Sequence, residues 1–475
     1  MPPGKAIGCY EYSVRSLKEC VRHPFLRLNL REGSFTLDKK AIFREFRKYV
    51  SLSVFEMICM SIYIIADTFF IALALGANGL AALNISIISF TVVHSLGLMI
   101  GIGGATKYTI TKSRGEDAKS VFTHSLVAGL VVSIVLMLIG IFFTVPISEM
   151  LGADSQLLPM VTEYIKTILI FAPLLILKNT LLSFIRNDGN PKLAMAGTVV
   201  GATSNIVLDY ILLFPLAMGM LGAALATVFS LIFSIIVLSF HFWTKRNKFG
   251  IYKCKINFRR IKELAALGAS TFVNEITVAI ALVIFNLVIL GVEGNVGVAA
   301  YGIVMNLAIV VLSIFTGIAL GIQPLISKGH GSGDVVLVRV TMKYAIIAVS
   351  VLSVFAYAIM YLNASAIVSM FNSEGNSTLA ILAADGLQIY FVGLIFAGIN
   401  VITAAFFSAA NSPKTALSIA VLRSCILIIP LLLILSRLLG MDGVWISFVA
   451  TELVVLLLSV IFLLKKFRVI RSGGD

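Results

Sequence analysis

Between residues 49 and 464 the chain alternates long apolar runs with short polar breaks. Each run is about 20 residues long, which at ~1.5 Å of helical rise per residue is enough to cross a hydrocarbon layer of ~30 Å. Reading from break to break predicts twelve spans, at approximately 50–74, 82–107, 120–144, 159–184, 193–214, 220–243, 264–290, 298–326, 340–362, 379–408, 415–436 and 443–464. No polar stretch inside this interval is long enough to form a separate soluble domain. The pattern predicts an all-α polytopic membrane protein.

Composition agrees: 59% of the 475 residues are hydrophobic, 13% are charged and the mean hydropathy is +1.02, where soluble domains carry roughly 25% charged residues. The net charge of +14 would suggest nucleic acid in a soluble chain, but here Lys and Arg flank the apolar runs. All but Lys166, Lys178, Arg423 and Arg437 fall on one side of the twelve-span scheme, and an odd number of spans would scramble that segregation. Acids such as Glu149, Asp154, Glu293 and Glu374 mark the other side. The positive-inside rule then puts both termini and the basic connector in the cytoplasm of a multi-pass cell-membrane protein, with no nucleic-acid partner. The first 48 residues have no early apolar segment of the signal-peptide kind, and are expected to form a basic cytoplasmic extension, partly as a helix on the inner leaflet. Cys9, Cys20, Cys59, Cys254 and Cys425 show no paired or metal-ligand spacing and read as free thiols.

The chain also repeats itself. GLAALNI (79–85) returns at an offset of 218 as GVAAYGI (297–303), NPKLA (190–194) returns at an offset of 222 as SPKTA (412–416), and MLGAALA (220–226) is echoed by MDGVWIS (441–447). Each half is thus a six-helix unit, and because six is even the two lobes share one orientation about an axis along the membrane normal. The expected divisions are the extension 1–48, a first lobe 49–243, a cytoplasmic connector 244–263, a second lobe 264–464 and a tail 465–475. Two such lobes suit alternating access around a site between them.

Few ionisable groups remain inside the runs: Glu56 and Asp67 in span 1, Lys178 in span 4, Asp209 in span 5, Glu275 in span 7, Arg423 in span 11 and Glu452 in span 12. An unpaired charge at mid-membrane costs roughly 2.5–3.5 kcal/mol on insertion scales, so such groups face the bundle interior or a wet cavity. Asp67 lies nine residues before Gly76 and Asp209 six before Pro215, at similar depth in the first lobe. Asn205, four residues before Asp209, shares its helical face and is expected to hydrogen-bond the carboxyl groups. Two carboxyl groups so placed titrate as a unit, and oxygen ligands suit H+ or Na+ equally; the alternative is polar glue between helices. Glu275, near the middle of span 7, is either functional or a packing acid, and the second lobe has no acid where Asp67 sits in the first. Glu56, about eight residues into span 1, is expected to pair with Lys178 or to reach the interface. Arg423 and Glu452 are expected to neutralise each other across spans 11 and 12.

Other patterns read as structure. GIGGATK (101–107) lies inside span 2 with no preceding strand, so its glycines pack helices. His94 reads as a satisfied helix–helix hydrogen-bonder, and the prolines of NPK and SPK open helices after short turns. The chain has no HExxH, GxSxG or paired-acid pyrophosphate motif, which disfavours a membrane enzyme.

With those residues in place the sequence resembles the bacterial branch of the multidrug and toxic compound extrusion (MATE) family. The resemblance is carried by IYIIADTFFIALALGANGLAALN (62–84), FIRNDGNPKLAMAGTVVGATSNIVLDYILLF (184–214), FVNEITVAIALVIFNLVILGVEGNVGVAAYG (272–302), FTGIALGIQPLIS (315–327) and AGINVITAAFFSAANSPKTALSIAVLRSCILIIP (397–430), and it covers residues 48 to 465. It implies twelve helices in two pseudo-symmetric lobes and export of organic, often cationic, compounds in exchange for Na+ or H+. By that resemblance Asp67, Asn205 and Asp209 form the first-lobe cation or proton site, and Glu275 matches a family acid in span 7. Glu452 and Asn400 are further second-lobe candidates for substrate or coupling, and Glu56, Lys178, Arg423 and Gln323 are structural or auxiliary ones. Two positions depart from the family pattern: Leu52 stands where many relatives have Pro, and Asn400 where one Na+-coupled branch has an acid.

The expected function is a secondary active antiporter for organic cationic drugs or metabolites, coupled to H+ or Na+. It would need no catalytic residue, cofactor or metal beyond a Na+ at Asp67, Asn205 and Asp209, and it would work as a monomer among membrane lipids. The alternative is a flippase for a lipid-linked saccharide or other lipid, which requires a large cationic groove, whereas the only deep cations in this reading are Lys178 and Arg423. An intramembrane enzyme is the remote alternative.

Overall fold

The computed structural model describes residues 39–244, 247–371 and 376–471. Cys9, Cys20, Glu374 and the expected features of residues 1–38 and 472–475 lie outside them. Nine apolar helical stretches and one pair bent by 52° are long enough to cross a membrane; dividing the two longest at Gly294 and Gly440, where the backbone leaves helical geometry, gives twelve among the described residues. They are α1 (Lys39–Gly76), α2 (Asn78–Ser113), α3 (Lys119–Phe142), α4 (Leu158–Ile170 and Ala172–Asn187), α5 (Pro191–Leu213), α6 (Gly219–Trp243), α7 (258–293), α8 (295–332), α9 (Val335–Ser369), α10 (Ser377–Ala409), α11 (413–439) and α12 (441–471). A short helix, Thr144–Met150, precedes α4. The end of the bundle holding the basic turns and connector is called the basic end below.

Local chemistry explains the breaks. Gly76, with φ 65° and ψ −155°, and Gly294, with φ 64° and ψ −154°, adopt one conformation that only glycine tolerates, and each reverses the chain between two long helices. They stand at the 218-residue offset of the sequence repeat. Left-handed Gly115 and Gly333 share that offset, and Gly189 and Asn411 stand 222 apart, as do the NPK and SPK turns. The duplication is therefore written into the turns as well as the spans. Pro173, with no N–H for the Leu169 carbonyl, accounts for the bend in α4. The expected spans coincide with these helices, whose ends run on by up to seven residues, as at Ser369 and Arg471. The largest difference is at the start: α1 begins at Lys39, where Ile42, Phe46, Tyr49 and Val50 repeat at helical spacing and are buried, Phe46 against Tyr344 of α9. The last ten residues of the expected surface extension are therefore the first turns of α1.

Each lobe has its own apolar core, and the lobes meet at the basic end. A β-carbon on Gly103 of α2 would collide with the Leu264 carbonyl of α7, and one on Gly268 of α7 with Met99 of α2, so these helices cross with their backbones in contact. Gly317 and Gly321 of α8 leave room of the same kind for α1, where added β-carbons would stand 2.6 and 2.7 Å from Val54 and Val50 Cα. Gln323 of α8 donates to the Ile102 carbonyl at 3.2 Å and to Thr106 Oγ1 at 2.6 Å. Lys107 pairs with Glu263 at 2.8 Å. The connector is strapped down as well: Tyr252 N donates to Thr123 Oγ1 and Asn257 N to His124 Nε2 of α3.

Asp188, at the tip of α4 on the basic end, anchors the connector's start. It accepts from Tyr108, Lys112, His241 and the Lys248 N–H at 2.7–3.1 Å. Burial alone pushes this carboxyl up, but the four donors outweigh it and hold the group below the ordinary carboxylate range.

Because nothing lies within 4 Å of a β-carbon added at Gly294, a substitution there meets only backbone strain. Gly294→Ala is expected to cost roughly 1–3 kcal/mol and to lower the detergent melting temperature. Gly302→Ala, equally uncrowded but with ordinary helical geometry, is expected not to lower it, since alanine is the better helix former.

Candidate functional site: a charged cavity between the lobes

Away from the Gly103–Gly268 crossing the lobes separate around a cavity of about 340 Å³. It opens away from the basic end, where lining residues Ile64, Val278 and Leu282 are exposed. Six Glu, Lys and Arg side chains line it: Glu56, Lys178 and Arg186 from the first lobe, and Glu275, Arg423 and Glu452 from the second.

Two charge pairs are closed. Arg186 Nη2 donates to both Glu56 carboxylate oxygens at 2.8 Å, and Thr198 Oγ1 donates to Oε1 at 3.0 Å. Glu56 and Arg186 are 1% and 2% exposed. This corrects two expectations: the partner of Glu56 is Arg186 and not Lys178, and Arg186 is not a flanking charge but a third deep cation. In the second lobe Arg423 reaches Glu452 Oε1 through Nε at 3.0 Å and Nη2 at 2.7 Å, as expected. Asn400 Nδ2 donates to Glu452 Oε2 at 2.8 Å, and Arg423 Nη1 donates to Asn274 at 3.3 Å. Arg423 sits in a single π turn, Leu422–Ile426, closed by the Leu427 N–H on the Leu422 carbonyl at 3.0 Å. Such turns interrupt helices where a side chain is re-aimed.

Lys178 and Glu275 are different. Among the described residues neither has a hydrogen-bond or ion-pair partner, and both line the cavity. His94 accepts from the Asn179 amide at 3.2 Å on its ring Nδ1 and again on its backbone carbonyl, and stacks on Phe90, in keeping with a helix–helix hydrogen-bonder.

The carboxyl groups of Asp67 (α1) and Asp209 (α5) adjoin each other, as their matched depth predicts. Asn205 and Asp209 are 1% and 0% exposed. Apart from the contact between the two carboxyl groups, Asp67 Oδ1, both Asp209 oxygens and both Asn205 amide atoms are buried without a hydrogen-bond partner. The expected Asn205 hydrogen bond to the carboxyl pair is therefore not made, and three polar groups are left with unfilled valences at one place. Beside Asn205 is a second cavity of about 40 Å³, large enough for a water or a bare ion. Met60, His94 and Lys178 line both cavities and so stand between Asn205 and the central space. Carboxyl and amide oxygens suit H+ or Na+. Among the described residues no group of three or more His, Cys, Asp or Glu is placed to hold a metal ion.

Gln323 bonds the lobes together and reaches the cavity only at a side pocket below Glu275, so it serves the closed end. Arg186 and Asn274 are the lining residues that sequence reasoning missed. Arg186 lies eight residues after Lys178, about two helical turns along the same face, and Asn274 stands at the 218-residue offset from Glu56.

The MatE family model matches residues 53–211 and 270–434, one segment in each lobe. The chain belongs to the MatE family. It is similar to the multidrug export protein MepA of Staphylococcus saprophyticus, 25% identical over 443 residues that cover 91% of this chain and 96% of that one. Among solved structures it resembles the MATE multidrug transporter DinF-BH, with a TM-score of 0.82, 25% identity and coverage of 92% and 98%. It shares the fold of a multidrug resistance MATE transporter solved in an outward-facing conformation, with a TM-score of 0.84, 21% identity and coverage of 92% and 100%. This MatE chain is thus a multi-pass transporter of the multidrug efflux type and not an enzyme.

In this MatE chain Arg186→Met would strand the Glu56 carboxylate. Breaking a buried pair from one side costs about 3–5 kcal/mol, whereas replacing both partners with apolar groups is often neutral. Thermal unfolding in detergent is expected to show a large loss for Arg186→Met and recovery in the Glu56→Leu/Arg186→Met double variant.

Proposed function

We propose that the protein is a secondary antiporter, with its basic end in the cytoplasm, that exports organic cationic compounds in exchange for H+ or Na+. The observation that carries this reading is the set of buried atoms on Asp67, Asn205 and Asp209 that receive no donor or cation from the rest of the protein, with Asn205 lining the small cavity. Such groups are costly in a low-dielectric bundle unless something binds them, and a proton or Na+ is the ligand that fits. Binding it changes how α1 packs on α5, and through the wall of Met60, His94 and Lys178 it changes the shape of the central cavity. Linkage is reciprocal: an ion that weakens cargo binding is itself weakened by cargo.

With the basic end cytoplasmic, the central cavity faces outward in this conformation. Glu275 supplies an unpaired carboxylate for a cationic cargo, while Arg186 and Arg423 are held by Glu56 and Glu452. Two of the three deep cations are thus occupied by carboxylates, which argues against a pyrophosphate groove of the flippase kind.

In proteoliposomes, wild-type affinity for a cationic dye is expected to fall as pH drops or Na+ rises. Asp209→Asn is expected to abolish gradient-driven export and to flatten that dependence. Asn205→Ala, which removes a hydrogen-bonding group and no charge, is expected to weaken it less. An unchanged dependence in Asp209→Asn would move the coupling ion elsewhere. Glu275→Gln is expected to impair export while leaving the protein folded; normal export would return Glu275 to packing.

Topology has its own test. Cys254, in the connector, is a partly exposed free thiol. In intact cells a membrane-impermeant maleimide is expected to spare it until the membrane is permeabilised, and labelling beforehand would reverse the orientation.

A further inference from the structure

The cavity's charges balance by type but not by contact. Glu56 is held by Arg186, and Glu452 by Arg423 and Asn400. What remains is one cation, Lys178 on α4 of the first lobe, and one anion, Glu275 on α7 of the second. Lys178 is 7% exposed, so it is not a surface lysine whose ammonium is solvated in the open. The nearest deep carboxylate of its own lobe, Glu56, already makes a two-oxygen contact with Arg186.

We propose that Lys178 and Glu275 form a dipolar receptor, and that the preferred cargo is an amphipathic organic molecule carrying both a cationic and an anionic group. Glu275 reads the cation and Lys178 reads the acid. This deepens the proposed export function and rests on it. The physical ground is that a cargo with a single positive charge satisfies Glu275 and leaves Lys178 desolvated without a partner, whereas a dipolar cargo satisfies both. The apolar lining of the same cavity, including Leu98, Ile102, Phe285 and Leu312, receives the scaffold. Selectivity then comes as much from rejecting purely cationic molecules as from accepting dipolar ones.

A matched pair of probes tests this. Rhodamine 6G is an ethyl ester with one positive charge, and rhodamine 19 is the same dye as its free acid, carrying a carboxylate as well. Binding is read by fluorescence anisotropy on the full chain in detergent at neutral pH. Wild type is expected to bind rhodamine 19 about tenfold more tightly than rhodamine 6G, since one charge-assisted contact is of that order. Lys178→Gln is expected to erase the preference by weakening rhodamine 19 and tightening rhodamine 6G, with Lys178→Arg restoring much of it. Glu275→Gln is expected to weaken both dyes. The proposal is overturned if wild type fails to prefer rhodamine 19, or if Lys178→Gln alters both dyes equally, which would make Lys178 a part of the ion-coupling wall only. Uptake of the same dyes under imposed pH or Na+ gradients is read separately. Failure there with the binding preference intact would defeat the antiport reading and leave the receptor standing.

Discussion

A charge inside a bundle surrounded by hydrocarbon must be paired or kept wet, and this constraint organises the molecule. Glu56 with Arg186 and Glu452 with Arg423 meet it by pairing, each with further polar partners from neighbouring helices. These closed pairs tie α1 to α4 and α11 to α12, so they act as fasteners within each lobe. Groups that are not closed in this way lie at the cavities: Lys178 and Glu275 on the central one, and Asn205, with Asp67 and Asp209 behind it, on the small one. The candidate functional groups are those whose pairing the protein alone leaves unsatisfied.

The contact between lobes follows a different physics. At the basic end the lobes meet through glycine-lined helix crossings, the apolar face of α1 with Phe46 on Tyr344, a glutamine contact and exposed ion pairs, with no buried charge pair across the seam among the described residues. Packing of small residues is lost and regained in rigid-body motion at modest cost, because no charge need be stranded when the surfaces part. The strong buried pairs lie inside the lobes and not between them. This division suits a transporter whose two halves rock about a central site.

Much of this was legible in the sequence because its signals are local and repeated. Apolar runs, basic turns and the 218- and 222-residue offsets located the helices and the duplication, and the matched conformations of Gly76 and Gly294 add to that in the structure. The Asp67–Asp209 contact was legible because depth along a helix is a simple count of residues. The partner of Glu56 was not: an arginine at the frayed edge of an apolar run looks like a flanking charge, and only the packed bundle reveals that α4 continues and turns Arg186 inward. The idle amide of Asn205 was equally hidden, since sharing a helical face allows a hydrogen bond but does not place the atoms. Nor does periodicity announce a π turn, so the aim of Arg423 was visible only through its expected partner.

The central claim is that the cargo cavity and the Asp67–Asn205–Asp209 unit share one free energy. Calorimetric titration with a cationic dye in buffers of different ionisation enthalpy, with and without Na+, counts the ions exchanged on binding. The account predicts that cargo binding displaces a proton, or that the binding heat and affinity depend on Na+ as displacement of one Na+ requires. Cargo binding with neither proton release nor Na+ dependence would contradict it.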